Sequence, residues 1–218
     1  MKNLENSIIP IWKPKKIYSN TIVDIVKMVS KSKAGHAGTL DPFAEGVLVV
    51  CTGDKTKTIS DIQSQSKRYL ARIALGEETT TLDVFGDVIK RKKIPNIDME
   101  KMESTLKNFK GKIMQSPPAF SAVRRNNVRL YSLARKDIFI KLKPREVEVF
   151  SIKVIQLKKK YIDIEVRCGK GTYIRSLARD IAIEIGTVGH LRSLKRLSIG
   201  DFDKKKCKDF EFILDENL

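Results

Sequence analysis

Cysteine and histidine are both scarce in this chain of 218 residues, and each shortage excludes something. The three cysteines, Cys51, Cys168 and Cys207, are odd in number and form no C-x-x-C pair. That argues against a disulfide scaffold or a zinc ribbon and for a reducing compartment. With only His36 and His190 in the whole chain, a zinc site of the nucleobase-deaminase kind lacks its ligands, so any base chemistry here is expected to run without a metal or another cofactor. No apolar run approaches the roughly 18–20 residues of a membrane span, and the first residues, with Glu5 and no small-residue cleavage site, lack a signal-peptide layout. The expectation is a soluble, cytoplasmic protein with no membrane partner. Also missing are the P-loop, G-x-G-x-x-G and H-E-x-x-H patterns, any internal repeat, any heptad run and any Gly/Ser-rich linker. A single domain over residues 1–218 is expected, and a monomer.

What the chain has in excess is positive charge. Lys and Arg number 43 against 26 acidic residues, a formal charge of +17. Polyphosphate is the commonest physical reason for such an imbalance, because each cation placed on a phosphate releases condensed counterions. The alternative is a generally Lys-rich surface whose cations are merely solvated. The runs Lys90 to Lys93, Lys158 to Lys160 and Lys204 to Lys206 read as solvated loop faces that add non-specific attraction.

Hydrophobic periodicity predicts a mixed α+β architecture with a largely antiparallel sheet flanked by helices. Ile8 to Trp12 reads as a strand, Ser19-Asn20 as the N-cap of a helix carrying Ile22, Val26 and Val29, and Val47 to Cys51 as a buried strand ended by Gly53. Tyr69, Ala71, Ile73 and Leu75 form the drier face of another strand. Asp98 is expected to cap a helix with Met102, Leu106 and Phe109 inward and Gly111 as its stop, and a short helix is expected over 128–136. Val147 and Val149, then Ile162 to Cys168, suggest an antiparallel pair turning near Lys158 to Lys160. Gly169-Lys170-Gly171 then turns the chain into a helix with Ile174, Leu177, Ala178, Ile181 and Ile185 on one stripe and Gly186 just past its end.

Two constellations carry chemistry. In Gly35-His36-Ala37-Gly38-Thr39-Leu40-Asp41-Pro42 the glycines allow close backbone approach and Pro42 stiffens the residue after a lone carboxylate; the plainer reading is an Asp-Pro turn leading into a strand. In Cys168-Gly169-Lys170-Gly171-Thr172-Tyr173-Ile174-Arg175 a glycine turn feeds a helix start, where Arg175 is either an ion-pair partner for a carboxylate or a surface arginine. Tyr69 beside Lys67-Arg68 has the make-up of a stacking ring among phosphate-binding cations, and also of an ordinary strand aromatic.

Taken together, Gly35 to Pro42 with Ala44 and Gly46, Gly53-Asp54-Lys55-Thr56-Lys57, Lys67-Arg68-Tyr69, Gly171 to Arg175 and Leu194-Lys195-Arg196-Leu197 closely resemble the TruB family of tRNA pseudouridine synthases, in the family's order, from about Ile8 to Phe202. The resemblance implies the pseudouridine synthase catalytic fold and isomerisation of the T-loop uridine at tRNA position 55. It implies Asp41 as the nucleophile, Arg175 as its ion-pair partner and Tyr69 as the ring that packs on the flipped uracil. His36 would organise the extruded T-loop, Lys57 would be a supporting cation and Leu194 would close the pocket. Tyr173 and Arg196 complete the substrate-binding residues it implies. The implied partner is the T-stem loop of tRNA, without a guide RNA, since the guide-dependent branch carries extra domains.

The chain departs from the family at Lys15-Lys16-Ile17-Tyr18, where members usually have a Gly and a Ser or Thr, at Glu45 in place of a common Thr, and at Thr80 in place of a frequent Asp, although Asp83 matches. The expectation is also that the C-terminal PUA domain of most members is absent and that the high charge takes over its share of binding. Two other classes stay open: a catalytically inactive tRNA-binding or folding module, and a ribosome-associated structural protein.

Overall fold

The computed structural model describes residues 4–120, 124–125, 128–129 and 143–211. The strands in chain order are β1 (Ile8–Lys13), β2 (Ala34–His36), β3 (Glu45–Thr52), β4 (Lys67–Leu75), β5 (Glu77–Thr79), β6 (Val88–Arg91) and β7 (Gly111–Gln115). They continue with β8 (Arg124–Arg125), β9 (Val128–Arg129), β10 (Arg145–Lys158), β11 (Tyr161–Cys168), β12 (Gly189–Ile199), β13 (Phe202–Asp203) and β14 (Lys208–Asp209). The helices are α1 (Ser19–Ser30), α2 (Ile59–Ser64), α3 (Met99–Lys107) and α4 (Ile174–Glu184). The chain folds into two compact units, Met1–Leu70 with Leu194–Leu218, and Ala71–Ser193, and it passes between them within β4 and within β12.

In the first unit the strand order is β14-β1-β3-β12. Strand β1 runs antiparallel to β3 with Ile11 opposite Leu48, and β12 runs parallel to β3 with Arg196 opposite Gly46. The strict alternation of β1 sends Ile9 and Ile11 to one face, where Leu48, Val50 and the Ile22 and Val26 stripe of α1 meet them. Val47, Val49 and Cys51 leave the other face and pack with Ala37, Ile199 and Ile62 of α2. Each such fully buried aliphatic side chain stabilises the fold by about 1.5–3 kcal/mol.

In the second unit the order is β4-β11-β10-β7, with β10 antiparallel to both β11 and β7. The β10–β11 hairpin closes with Lys158 opposite Tyr161, at the lysine run where the sequence places it. Helix α4 follows β11 through a turn in which Thr172 Oγ donates to Gly169 O, and it buries Ile174, Leu177, Ala178, Ile181 and Ala182. Strands β5 and β6 form a separate hairpin.

The α+β reading with a mixed sheet holds, and three local expectations change. Ser19 does not cap α1: residue Tyr18 holds the N-cap position, and the Ser19 hydroxyl is spent on Leu40 instead. Gly111 does not stop α3, which ends at Lys107 with Asn108 as its C-cap; with φ of 91° Gly111 opens β7. Of the helix expected over 128–136, only Val128–Arg129 are described, and they pair as β9 with β8; the remainder lies outside the described residues. Among the described residues no helix is long and apolar enough to cross a membrane, and no group of three His, Cys, Asp or Glu is placed to hold a metal ion.

Candidate active site

The loop between β2 and β3 carries the carboxylate of Asp41, half-buried between Leu40 and Phe43, which are fully inside. A short loop on its own would sample many conformations, and four elements of the first unit remove that freedom. From α1, the Ser19 hydroxyl donates to Leu40 O at 2.8 Å and accepts from Leu40 N at 2.9 Å, closing both backbone groups of the residue before Asp41. From the end of β2, His36 Nδ1 accepts from Gly38 N at 3.2 Å. Within the loop Asp41 O accepts from Ala44 N, a turn that leads straight into β3.

The third element is β12. Arg196 is only 2% exposed, and its guanidinium donates to Val47 O at 2.7 Å, Gly38 O at 3.0 Å and Thr39 O at 3.2 Å. A planar fork of donors can satisfy three divergent carbonyls at once, which an ammonium cannot match in geometry. The approach that makes this possible depends on Gly46. Its φ is 122°, and a Cβ there would lie 2.2 Å from Arg196 O, so the β12 backbone passes where any side chain would stand.

The fourth element is β1. The Lys13 side chain is completely buried, and its ammonium donates to Ile17 O at 2.7 Å, Pro14 O at 2.9 Å and Pro42 O at 3.5 Å. Burial pulls its pKa down to about 8; the neighbouring Asp41 carboxylate opposes that shift, and the Arg196 charge adds to it. The same causes, burial first and then Arg196, hold His36 below the usual histidine range, so its imidazole is neutral at pH 7 and free to accept through Nδ1. Sequence reasoning did not single out Lys13. The signal available was a lysine alternating with apolar residues in a buried strand, immediately before Pro14.

Tyr69 is buried and points away from exposed Arg68 by the alternation of β4; Leu194 is likewise buried, on β12. Lys57 is exposed and pairs with Asp54 at 3.1 Å.

In the second unit Arg175 occupies the first turn of α4 and is 6% exposed, which rules out the surface-arginine reading. Its Nη1 donates to Thr81 O and its Nη2 to Phe120 O, each at 2.9 Å, and Nη1 lies 3.6 Å from Asp83 Oδ2. Asp83 is in turn fixed by Thr81 Oγ at 2.6 Å and Phe85 N at 3.0 Å. The backbone of Tyr173 is clasped by Gln115, whose Oε1 accepts from Tyr173 N and whose Nε2 donates to Tyr173 O. The start of α4 is thus tied to the end of β7, and Ser176 Oγ adds a bond to Ser116 O at 2.8 Å.

The TruB family pseudouridylate synthase N-terminal domain matches residues 26–174 of this chain. The tRNA pseudouridine synthase B of Clostridium tetani is 38% identical over 98% of this chain and 74% of its own length. The protein of the same name from Bacteroides fragilis is 44% identical over 83% of this chain and 78% of its length, and that from Thermosipho melanesiensis is 43% identical over 88% and 64%. Among solved structures, the crystal structure of a Cbf5-Nop10-Gar1 complex contains a chain that superposes with a TM-score of 0.74 at 26% identity, covering 98% of this chain and 55% of that one. This chain therefore spans about half of that structure's chain. With the clamped aspartate loop, the mixed sheet and these relatives in agreement, the chain belongs to the TruB family of pseudouridylate synthases.

Proposed function

We propose that the protein isomerises a uridine of tRNA to pseudouridine, that the target is the T-loop uridine at position 55, and that Asp41 is the nucleophile. The observation that carries this reading is the effort spent on one loop. Arg196, Lys13, Ser19 and His36 together fix the backbone on both sides of Asp41 while its own side chain stays half-buried. A carboxylate held in one pose can attack without the reorganisation that a mobile loop would require.

In the proposed reaction the target nucleotide leaves the stack, and the Asp41 carboxylate adds to it. The bond between uracil N1 and ribose C1′ breaks, the base turns, and C5 joins C1′ as Asp41 departs. The C5 proton is lost and N1 gains one, so product and substrate are isomers and no cofactor is consumed. Tyr69 is the proposed ring against the extruded uracil, Leu194 the apolar wall that excludes water, and Arg175 the cation that the family resemblance assigns to the aspartate. Tyr173, His36 and Lys57 are proposed on the RNA side, with Arg196 acting through the loop it clamps. Incubating an unmodified tRNA transcript with the purified protein and mapping pseudouridine tests this. The expected product is one pseudouridine at position 55, absent when that uridine is replaced by cytidine; an unmodified transcript would refute the reading.

A further inference from the structure

A cavity of about 260 Å³ opens in the first unit, lined by Trp12, Arg68, Lys195, Asp203, Lys204 and Lys205. None of these side chains takes part in holding Asp41. Side chains alternate along a strand, so Trp12 leaves the sheet on the face opposite Lys13, Lys195 on the face opposite Arg196, and Arg68 on the face opposite Tyr69. Lys13 and Arg196, which hold the aspartate loop, and Trp12 and Lys195, which line this cavity, therefore project from the two sides of β1 and β12.

Its chemistry is that of a nucleotide contact. Four cations surround one carboxylate, so the lining carries net positive charge; Asp203 keeps its own charge while its Oδ1 accepts from Lys205 N and Lys206 N and so fixes the turn that carries the lysines. Lys195 is shared with Glu45 at 3.1 Å. The Lys204 ammonium lies over the Trp12 ring, 5.1 Å from its centre, so an arriving base takes the place of this exposed, flexible side chain, whose charge is then available to the adjoining phosphate. An acidic peptide would engage the cations alone, whereas a nucleotide engages both the cations and the part of the half-buried indole that does not pack on the core. The volume falls below the roughly 300–1,000 Å³ of pockets that enclose small molecules, which suits one unit of a polymer passing by.

We infer that this cavity is a second RNA subsite, taking a nucleotide that lies outside the target T-arm, with its base on Trp12 and its phosphate among Arg68, Lys195, Lys204 and Lys205. The inference rests on the tRNA reading above for its partner. Its consequence is that full-length tRNA binds more tightly than the T-arm alone.

Trp12 is the single tryptophan of the chain, so intrinsic tryptophan emission reports this cavity alone. Titration with unmodified tRNA is expected to quench it, whereas an isolated T-arm hairpin leaves it unchanged. The double substitution Lys204→Gln and Lys205→Gln, at exposed positions, is expected to abolish the quench and raise Kd for tRNA several-fold. It should leave Kd for the hairpin and kcat on either RNA unchanged, and lower the salt slope of tRNA binding by about 1.5. Equal quenching by the hairpin, no quenching by either RNA, or an unaltered tRNA affinity in the double variant overturns the inference. Pseudouridine formation in the hairpin is read separately. If it fails while tRNA still quenches Trp12, the proposed reaction is wrong and the subsite stands.

Discussion

Replacing Arg196 by Ala removes the three donors that hold Val47 O, Gly38 O and Thr39 O. A hydrogen bond to a charged group contributes about 1.5–3 kcal/mol, and a buried acceptor left without a partner costs about 1–3 kcal/mol. Val47 is itself fully buried and gains no water in exchange, whereas Thr39 is exposed and recovers much of its loss. The expected destabilisation is about 3–5 kcal/mol, between the sum of three full losses and the loss of one. Arg196→Lys keeps the charge but not the fork, and is expected to lose about half as much. Urea denaturation gives the stability change, and single-turnover isomerisation together with equilibrium RNA binding gives the function. The rate constant for isomerisation should fall in both variants with the T-arm affinity nearly intact, because the guanidinium is used up inside the protein. If Arg196→Ala were stable to within about 0.5 kcal/mol of wild type, or if it weakened RNA binding and flattened its salt dependence, Arg196 would be a phosphate contact and the clamp argument would fail.

Lys13, with its pKa near 8, should lose its proton in mildly alkaline solution, and with it the third hydrogen bond and the positive charge beside Asp41. Activity is expected to decline with an apparent pKa about 8, and Lys13→Arg should remove that limb; superimposable profiles would contradict the assignment. The sign for stability is opposite. The folded-state pKa lies below the unfolded value, so between about pH 8 and 10.5 the unfolded chain binds more protons, and this one group favours folding increasingly as pH rises, a trend that denaturant midpoints of wild type and Lys13→Arg would reveal. Gly46→Ala places a Cβ against the Arg196 carbonyl at a positive φ and should cost about 3 kcal/mol or more, read as a drop in Tm; a Tm within a degree or two of wild type would show that β12 can shift. Ser19→Ala strands both Leu40 groups, with an expected loss of about 2 kcal/mol and a lower kcat at unchanged tRNA affinity.

The elements with a clean period were legible in the sequence. The alternation of Tyr69 to Leu75, the Ile162 to Cys168 strand and the stripe of α4 all stand where the pattern puts them, because burial of one face dictates the period. Strand β12 was not anticipated. Its sequence mixes Arg192, Lys195 and Arg196 with Leu191, Leu194 and Leu197, and no periodicity reveals that Arg196 points inward, since its burial is repaid by backbone carbonyls from a segment some 150 residues away in sequence. Ser19 misled for a related reason: a hydroxyl at a helix start normally caps that helix, and a long-range partner, Leu40, outcompetes the local one. Of the residues proposed for the reaction, Asp41, Tyr69 and Arg175 could be picked out by motif, whereas the groups that hold the aspartate loop are tertiary facts. Lys13 and Arg196 act through carbonyl oxygens, which every residue has, so their targets leave no mark in the sequence.

The central claim is that the Asp41 carboxylate performs the covalent step, and Asp41→Asn tests it with a change of almost no volume. Isomerisation of tRNA in single-turnover assays should vanish, while the variant keeps the wild-type Tm to within a few degrees and binds tRNA with unaltered Kd. Pseudouridine formed by Asp41→Asn at a rate comparable with that of the wild-type protein would contradict the account.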